Sequence, residues 1–358
     1  MAQNVYIHIP FCKQKCHYCS FISFPELNKK TDYLEALKKE IIHYYNNEKI
    51  KTLYFGGGTP SLLSPSEIKD IKELFTTTPT TEITIELNPE TINQKYLTDL
   101  YNIGINRLSI GCQSFDNKIL KQIGRKHTSK EVENTVKMAQ KIGFNNISLD
   151  FIYGLPNQTL QIFENDLKKA LKLGVQHISL YGLKIDEGCY FYKNMPEKLP
   201  DIDSQADMYL KAVEILKNFG HYEISNFGKP SQHNLNYWNN NSYYGFGVAA
   251  HGYINNIRYS NFETLEEYIN NPTKHNIEIK LTKQEQLEEE IFLGLRKSEG
   301  INIHKINEKY NINFDTKYKQ ILEKYKEYSE NNIKNATNYT SEVALTVTKG
   351  IYREFIRL

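Results

Sequence analysis

Short apolar segments and amphipathic segments alternate along the first half of the chain, and this alternation constrains the fold more than any other feature. Six apolar runs have the length and composition of strands: Val5–Ile9, Thr52–Phe55, Glu82–Leu87, Arg107–Ile110, Ile147–Ile152 and His177–Leu180. Segments with helical periodicity lie between them, at Thr31–Tyr45, Pro65–Phe75, Ser129–Ile142 and Leu160–Leu173. Serial β–α units form a parallel sheet with helices outside, and right-handed crossovers curl such a sheet into an open or closed barrel. The sequence therefore predicts an α/β fold containing a partial (β/α)6 barrel.

The pattern changes after about residue 200. A helix is expected at Asp201–Phe219, because Asp203 and Ser204 can cap its start and Gly220 can end it. The Asn- and Tyr-rich segment Asn234–Tyr244 is expected to be a loop.

A separate C-terminal part is indicated by a charged helix at Lys283–Arg296 and an alternating segment at Val343–Thr348. We expect a small α+β domain of helices and a β-ribbon, similar to a winged helix. The predicted division is a barrel core at 1–230, a connecting segment at 231–280 and the C-terminal domain at 281–358.

Charge and composition restrict the partners and the compartment. The chain has 44 Lys and Arg against 42 Asp and Glu, which argues against a nucleic-acid-tracking surface. It shows neither a basic leader with an apolar run nor a segment of about 18 apolar residues that could span a membrane. Five cysteines, three of them within eight residues, do not form a disulfide framework. We expect a cytoplasmic protein that can be peripheral at the membrane.

Cys12, Cys16 and Cys19 follow the first predicted strand with spacings of four and three residues. Three thiols on one loop can bind a [4Fe–4S] cluster and leave one iron without a protein ligand. That iron can chelate a substrate or cofactor. The alternative is a structural zinc site with His17 or His8 as the fourth ligand, although zinc sites usually have paired CxxC or HxxxH spacing.

Six sequence blocks in this order resemble motifs of the radical S-adenosylmethionine (SAM) superfamily: Tyr6–Cys12, Gly56–Pro60, Glu86–Pro89, Gly111–Ser114, Gly124–His127 and Asp150–Pro156. They are similar to one branch, which contains oxygen-independent coproporphyrinogen III oxidase and its relatives, over roughly residues 3–300. The resemblance implies that the open iron binds the amino and carboxylate groups of SAM. One electron then cleaves SAM to a 5′-deoxyadenosyl radical.

The same resemblance implies a set of SAM-binding residues, namely Tyr6, Tyr18, Gly57, Gly58, Thr59, Glu86, Gln113, Arg125 and Asp150. Glu86 and Gln113 can bind ribose hydroxyls, Arg125 can pair with the carboxylate, and Asp150 can bind the ammonium or a hydroxyl. Glycines after an apolar strand let the backbone approach a ligand closely. A phosphate-binding loop is excluded because no Gly-Lys-Ser/Thr follows.

Two local features separate the oxidase from its relatives. The oxidase has a fourth cysteine where this chain has Phe21. The segment His233–Trp238 has the form HNxxYW, which resembles the heme chaperone group of this branch. Imidazole is a common axial ligand of heme iron, and aromatic rings offer flat apolar faces. We expect His233, Tyr237 and Trp238 to contact heme. The alternative is that His233 makes a buried hydrogen bond and Trp238 packs between the barrel and the C-terminal domain.

The resemblance implies a protein that holds heme and transfers it to apo-heme proteins, such as respiratory enzymes at the membrane. The cluster would then stabilise a homodimer or gate the transfer, with SAM bound. Two alternatives remain open, a radical SAM enzyme acting on a porphyrin or another substrate, and a zinc-stabilised structural module. Cys112 and Cys189 are expected to be non-ligand residues, and Gly245–Ala250 is expected to reflect close backbone packing.

Overall fold

The computed structural model describes residues 2–324. Its twelve strands within that range are β1 (Asn4–Ile9), β2 (Thr52–Gly57), β3 (Glu82–Leu87), β4 (Arg107–Gln113), β5 (Ile147–Tyr153), β6 (His177–Gly182), β7 (His221–Glu223), β8 (Asn226–Gly228), β9 (Tyr244–Phe246), β10 (His251–Ile254), β11 (Ile257–Ser260) and β12 (Ile277–Lys280). All six strands expected from the sequence are present.

The α-helices of the same range are α1 (Lys30–Tyr44), α2 (Pro65–Lys72), α3 (Gln94–Asn102), α4 (Asn117–Gln122), α5 (Ser129–Ile142), α6 (Leu160–Lys172), α7 (Tyr190–Lys193), α8 (Ile202–Ile215), α9 (Gln232–Trp238), α10 (Leu265–Asn270), α11 (Lys283–Gly294), α12 (Ile303–Tyr310), α13 (Phe314–Lys317) and α14 (Lys319–Lys324). Local chemistry explains their limits. For example, Thr128 and Glu131 form a capping box before α5, and Gly143 ends that helix at a φ of +119°. Every helix in the described range is too short or too polar to cross a bilayer.

The main sheet forms the partial (β/α)6 barrel that the alternation predicts. Strands β1 to β6 are parallel and lie side by side in sequence order. The sheet is extended by β9, which is parallel to β1, and by β8 and β7 beyond β6. A second, antiparallel sheet contains β10, β11 and β12. The carboxyl ends of six parallel strands therefore meet at one rim, where ligands bind in such folds.

The two faces of the main sheet differ in polarity. On β1, Val5, Ile7 and Ile9 are fully buried in the apolar layer between the strands and the outer helices. Burial of each such side chain contributes about 1.5–3 kcal/mol to the stability of the folded protein. The alternate residues, represented by Tyr6 and His8, lie on the opposite, inner face. The inner face is therefore lined with hydroxyl, imidazole and charged groups.

The expectation of a loop at Asn234–Tyr244 is wrong for residues 234–238 and for Tyr244, and it is confirmed for residues 239–242. The segment begins with α9 and ends in β9, whose first residue is Tyr244. The Ser231 hydroxyl accepts a hydrogen bond from the Asn234 amide at 3.3 Å, which caps the helix, and α9 buries His233 and Asn236. The Asn-rich composition indicated a loop because it does not show that His233 and Asn236 are buried against Thr52 and Asn4, which are distant in sequence.

The expectation of close backbone packing in Gly245–Ala250 is confirmed at Gly245. A Cβ on Gly245 would lie 1.8 Å from the His251 carbonyl oxygen, so the backbones here do pack closely. Cys112 is fully buried in the main core, and Cys189 is 1 % exposed in a second apolar cluster around Leu155.

The described C-terminal part is helical. Helices α11 to α14 enclose their own apolar cluster, which includes Leu287, Ile291 and Ile306. The expected ribbon at 343–348 lies outside the described residues. The domain limits at residues 230 and 280 stay a prediction.

Candidate functional site

The three cysteines lie in the loop that follows β1. The Cys12 amide donates a hydrogen bond to the Phe24 carbonyl at 3.1 Å, and the Cys19 amide donates to the Cys16 carbonyl at 3.1 Å. All three side chains are half-buried. The loop thus has a defined path beside the rim of the barrel.

Hydrogen-bond donors face two of the sulfurs. Thr59 Oγ1 lies 3.4 Å from Cys12 Sγ, and Arg125 Nη1 donates to Cys16 Sγ at 3.6 Å. Burial raises the pKa of Cys12, and it raises that of Cys19 to about 11. The thiolate forms therefore need a neighbouring positive centre, such as the iron of a cluster would supply.

Gly57 and Gly58, at the end of β2 and directly after it, form a strip without side chains beside this loop, called the glycine strip below. A Cβ on Gly58 would lie 2.8 Å from the Phe11 carbonyl oxygen and 3.0 Å from Cys12 Sγ. A Cβ on Gly57, whose φ is +113°, would lie 2.7 Å from the His8 ring. Three thiols, facing donors and a side-chain-free strip fit an iron–sulfur cluster.

The histidines considered as zinc ligands have other partners. The Nδ1 of His8 lies 3.1 Å from the Tyr6 hydroxyl, and its Nε2 lies 3.0 Å from the Ile22 carbonyl oxygen. The Nδ1 of His17 lies 2.8 Å from the Gln122 carbonyl oxygen. Across residues 2–324, no three His, Cys, Asp or Glu side chains are grouped to hold a single metal ion. The contacts of His8 are those of a buried, hydrogen-bonded core residue.

Two carboxylates occupy the inner face of the barrel. The Tyr54 hydroxyl donates to Glu86 Oε1 at 2.9 Å, and the Gly57 amide donates to Glu86 Oε2 at 3.0 Å. The Ser109 hydroxyl donates to Asp150 Oδ2 at 2.8 Å. Burial, with a further contribution from the charge of Asp150, raises the pKa of Glu86 to about 7. This arrangement can accept hydrogen bonds from hydroxyl or ammonium groups.

A buried arginine completes the polar side of the site. Arg125 Nη2 donates to Asn88 Oδ1 at 2.8 Å and to the Gly111 carbonyl at 2.9 Å. Burial alone would lower the pKa of Arg125, but Tyr18 and Cys16 raise it above its usual value. The guanidinium therefore stays charged beside the cysteine loop, where it can pair with a carboxylate.

Gln113 lies next to this arginine. It follows an irregularity in the β4–β5 pairing and has a φ of +63°. A Cβ on Gly111 would lie 3.0 Å from Gln113 Nε2 and 3.1 Å from Arg125 Nη2. Asn88 Nδ2 donates to Thr59 Oγ1 at 3.0 Å, so one network joins these polar groups to the glycine strip.

The two tyrosines expected at the site lie on different sides of it. The ring of Tyr6 lies 6.1 Å from that of Tyr54, on the inner face. Tyr18 packs against the apolar cluster that contains Ile123 and Leu155. Burial and the neighbouring Cys16 raise the pKa of Tyr18 well above its usual value, so the phenol stays neutral.

The HNxxYW segment lies elsewhere, near the amino ends of the strands. The Nδ1 of His233 lies 2.8 Å from the hydroxyl of Thr52, the first residue of β2, and its Nε2 lies 2.8 Å from the Tyr237 hydroxyl. Both ring nitrogens are thus engaged within the protein. In this arrangement neither is open to heme iron, and the surroundings match the alternative of a buried hydrogen bond.

Trp238 also packs as that alternative describes. The Arg296 guanidinium lies 4.2 Å from the centre of the Trp238 ring and forms an ion pair with Glu223 at 3.3 Å. Trp238 Nε1 is buried without a hydrogen-bond partner in the described part of the chain. The tryptophan therefore joins α9 to the segment that follows α11.

Sequence reasoning missed three residues of the site. Asn88 lies inside a recognised block, but its side-chain partners, Thr59 and Arg125, come from connecting segments about 30 residues or more away in sequence. Tyr54 precedes Gly56 by two residues on the same strand face, which is the signal that could have identified it. His127 accepts a hydrogen bond from Arg125 Nε at 3.3 Å, and no local pattern predicts that contact.

Comparisons with known proteins agree with this geometry. Residues 6–170 match the radical SAM superfamily, and residues 281–331 match the HemN C-terminal domain. The chain is 40 % identical to the heme chaperone HemW of Lactococcus lactis, over 89 % of this chain and 88 % of that protein. It is 37 % identical to the HemW of Bacillus subtilis, over 89 % of this chain and 90 % of that protein.

A solved structure has the same fold. The coproporphyrinogen III oxidase HemN of Escherichia coli superimposes with a TM-score of 0.81, over 92 % of this chain and 83 % of that chain. The two sequences are 23 % identical.

Proposed function

Because the chain belongs to the HemW family of radical SAM proteins, we propose that it binds heme and transfers it to apo-heme proteins. The observation that carries this proposal is the similarity to curated heme chaperones over almost their full length. The acceptors in this proposal are respiratory enzymes at the membrane. The protein itself is cytoplasmic and visits the membrane surface, and it forms a homodimer when its cluster is present.

The same proposal includes a [4Fe–4S] cluster on Cys12, Cys16 and Cys19. Its support is the loop with three thiols and the donors that face two of the sulfurs. When bound and reduced, such a cluster supplies one electron to SAM.

The residues of the rim then bind and orient SAM. Arg125 pairs with the SAM carboxylate, and Asp150 accepts from its ammonium group or from a hydroxyl. Glu86 accepts hydrogen bonds from the ribose hydroxyls, and Gln113 offers both a donor and an acceptor. Gly58 allows the ligand close to the backbone. The support is that the Arg125 guanidinium lies against the cysteine loop, while the carboxylates of Glu86 and Asp150 lie on the inner face of the barrel.

Heme contact by Tyr237 and Trp238 stays part of the proposal. Axial ligation by His233 would require one of its two ring hydrogen bonds to break, because iron binds a single imidazole nitrogen. A heme titration of the His233→Ala protein tests this point. An unchanged heme affinity and absorbance spectrum would remove His233 as the ligand.

A radical enzyme acting on a porphyrin is the second candidate, because the chain has the fold of HemN and residues 6–170 match the radical SAM superfamily. Phe21 argues against the oxidase itself, since it occupies the position of the oxidase's fourth cysteine. Its side chain is 67 % exposed.

One experiment separates the two candidates. The protein is reconstituted anaerobically, its iron and sulfide are measured, and it is incubated with coproporphyrinogen III, SAM and a low-potential reductant. In parallel, heme-loaded protein is mixed with an apo-heme protein, and transfer is followed by absorbance. Heme transfer without protoporphyrinogen IX supports the chaperone. Stoichiometric SAM-dependent protoporphyrinogen IX without transfer would overturn it.

A further inference from the structure

His233 is held in one orientation at the amino end of the barrel. It is 1 % exposed, and its two ring nitrogens bond the hydroxyls of Thr52 and Tyr237, each at 2.8 Å. Its backbone amide donates to Glu82 Oε1 at 3.1 Å. A ring fixed through both nitrogens and its own backbone presents one defined face to its neighbours.

That face lies against Tyr54. The ring centres of His233 and Tyr54 are 4.9 Å apart, with an angle of 27° between the planes. Tyr6 lies 6.4 Å from His233 and 6.1 Å from Tyr54, again with small interplanar angles. Offset aromatic pairs at these distances are stabilising, so the phenol of Tyr54 is fixed between the strand and α9.

Tyr54 in turn determines where Glu86 lies. Its hydroxyl donates to one carboxylate oxygen of Glu86, and the Gly57 amide donates to the other. The carboxylate is therefore fixed at both oxygens, with the phenol on one side and the glycine strip on the other. If Tyr54 shifted, the carboxylate of Glu86 would be held by the Gly57 amide alone.

We propose that His233 is a positioning residue for the SAM site, acting through Tyr54 on the carboxylate of Glu86. This inference rests on the proposed function, in which Glu86 binds the ribose of SAM. It gives the HNxxYW helix a role at the SAM site without requiring His233 to touch heme.

The test compares SAM affinity of the reconstituted protein with the stability of the cluster-free protein. The variants are His233→Ala, His233→Phe, which retains a ring against Tyr54, and Asn236→Ala as the matched control. Asn236 lies on the same helix and accepts a buried hydrogen bond from Asn4 at 2.5 Å. Among the described residues it makes no hydrogen bond to Tyr54, whose hydroxyl bonds Glu86.

We expect His233→Ala to weaken SAM binding about tenfold, as the loss of one well-placed hydrogen bond would. His233→Phe should recover most of that loss. Asn236→Ala should lower the melting temperature of the cluster-free protein while leaving SAM affinity within about twofold of the wild type. Near-ultraviolet circular dichroism of the cluster-free proteins should show a change in the tyrosine signal for His233→Ala only.

A second comparison uses Tyr54→Phe. If His233 acts through the Tyr54 hydroxyl, the double variant with His233→Ala should bind SAM no more weakly than Tyr54→Phe alone. Three results would overturn the inference while leaving the proposed function intact. They are a wild-type SAM affinity in His233→Ala, a loss of SAM affinity in Asn236→Ala equal to that in His233→Ala, and fully additive losses of SAM affinity in the double variant. Failure of the loaded wild-type protein to bind SAM would instead overturn both.

Discussion

Glu40 allows a quantitative prediction about stability. This α1 carboxylate is fully buried, and it accepts hydrogen bonds from the Gly247 amide at 2.8 Å, from Asn261 Nδ2 at 2.6 Å and from the Tyr268 hydroxyl. Burial raises its pKa from 4.5 to about 7, because the three hydrogen bonds offset only part of the desolvation cost. No cation is among these partners.

The sign of the resulting pH dependence follows from linkage. The folded state binds the Glu40 proton more tightly than the unfolded state, so this contribution to stability is complete below pH 4.5. It is lost as the pH rises through about 7. At about 1.4 kcal/mol per pKa unit, the rise corresponds to a loss of about 3 kcal/mol.

The perturbation is Glu40→Gln, which stays neutral at every pH. At pH 5 the variant should be less stable than the wild type by about 1–2 kcal/mol, because the NH2 group of glutamine would face the groups that donate hydrogen bonds to Glu40. Between pH 5 and pH 8 the difference in unfolding free energy should move by about 2–3 kcal/mol in favour of the variant.

The assay is urea unfolding of the cluster-free proteins, followed by far-ultraviolet circular dichroism from pH 5 to pH 8. Glu266→Gln, an exposed carboxylate on α10, is the control and should show no such change. A difference between Glu40→Gln and the wild type that stays constant across this range would refute the reasoning.

Three further predictions concern the site and the C-terminal part. Because burial raises the pKa of Glu86 to about 7, SAM affinity measured by calorimetry should increase from pH 6 to pH 8 as the carboxylate ionises, and Glu86→Gln should remove that increase. Gly58→Ala should lower the iron and sulfide content after reconstitution by more than half, because its Cβ would meet a backbone oxygen at 2.8 Å. Gly182→Ala, whose Cβ would meet only side-chain atoms, should load normally. Arg258→Ala should remove the 2.7 Å ion pair with Glu289, weaken the packing of α11 by about 1–2 kcal/mol and accelerate proteolysis near residue 281. Unchanged cleavage rates would contradict this last expectation.

Much of the barrel could be predicted because its strands are apolar on the face that packs against the helices. The expected strand Glu82–Leu87 and the expected helix Ser129–Ile142 match the structure residue for residue. The strands β7, β8 and β9 could not be predicted, since each has only three residues. In addition, β8 and β9 form by pairing with β6 and β1, which are distant in sequence, and β7 forms by pairing with β8. Periodicity needs more residues than that to be visible.

For the site, topology explains what could be predicted. Glu86 lies near the carboxyl end of β3, where the parallel strands of such a barrel converge, and Asp150 lies in the middle of β5. The position of His233 could not be predicted, because α9 reaches the opposite end of the barrel through contacts with Thr52 and Glu82 that no local pattern encodes.

The amide of Asn88 determines the direction of the hydrogen bonds around the cysteine loop. Arginine can only donate, so the Asn88 atom facing Arg125 must be the oxygen, and its nitrogen must face Thr59. Thr59 therefore accepts from Asn88 and has its one proton left for the sulfur of Cys12, while Arg125 donates to Cys16. Two sulfurs thus receive hydrogen bonds, which lowers their electron density and favours the reduced state of an iron–sulfur centre. Asn88 thereby directs the Thr59 proton towards Cys12 without touching any cysteine, whereas Arg125 donates to Cys16 whichever way the Asn88 amide is turned.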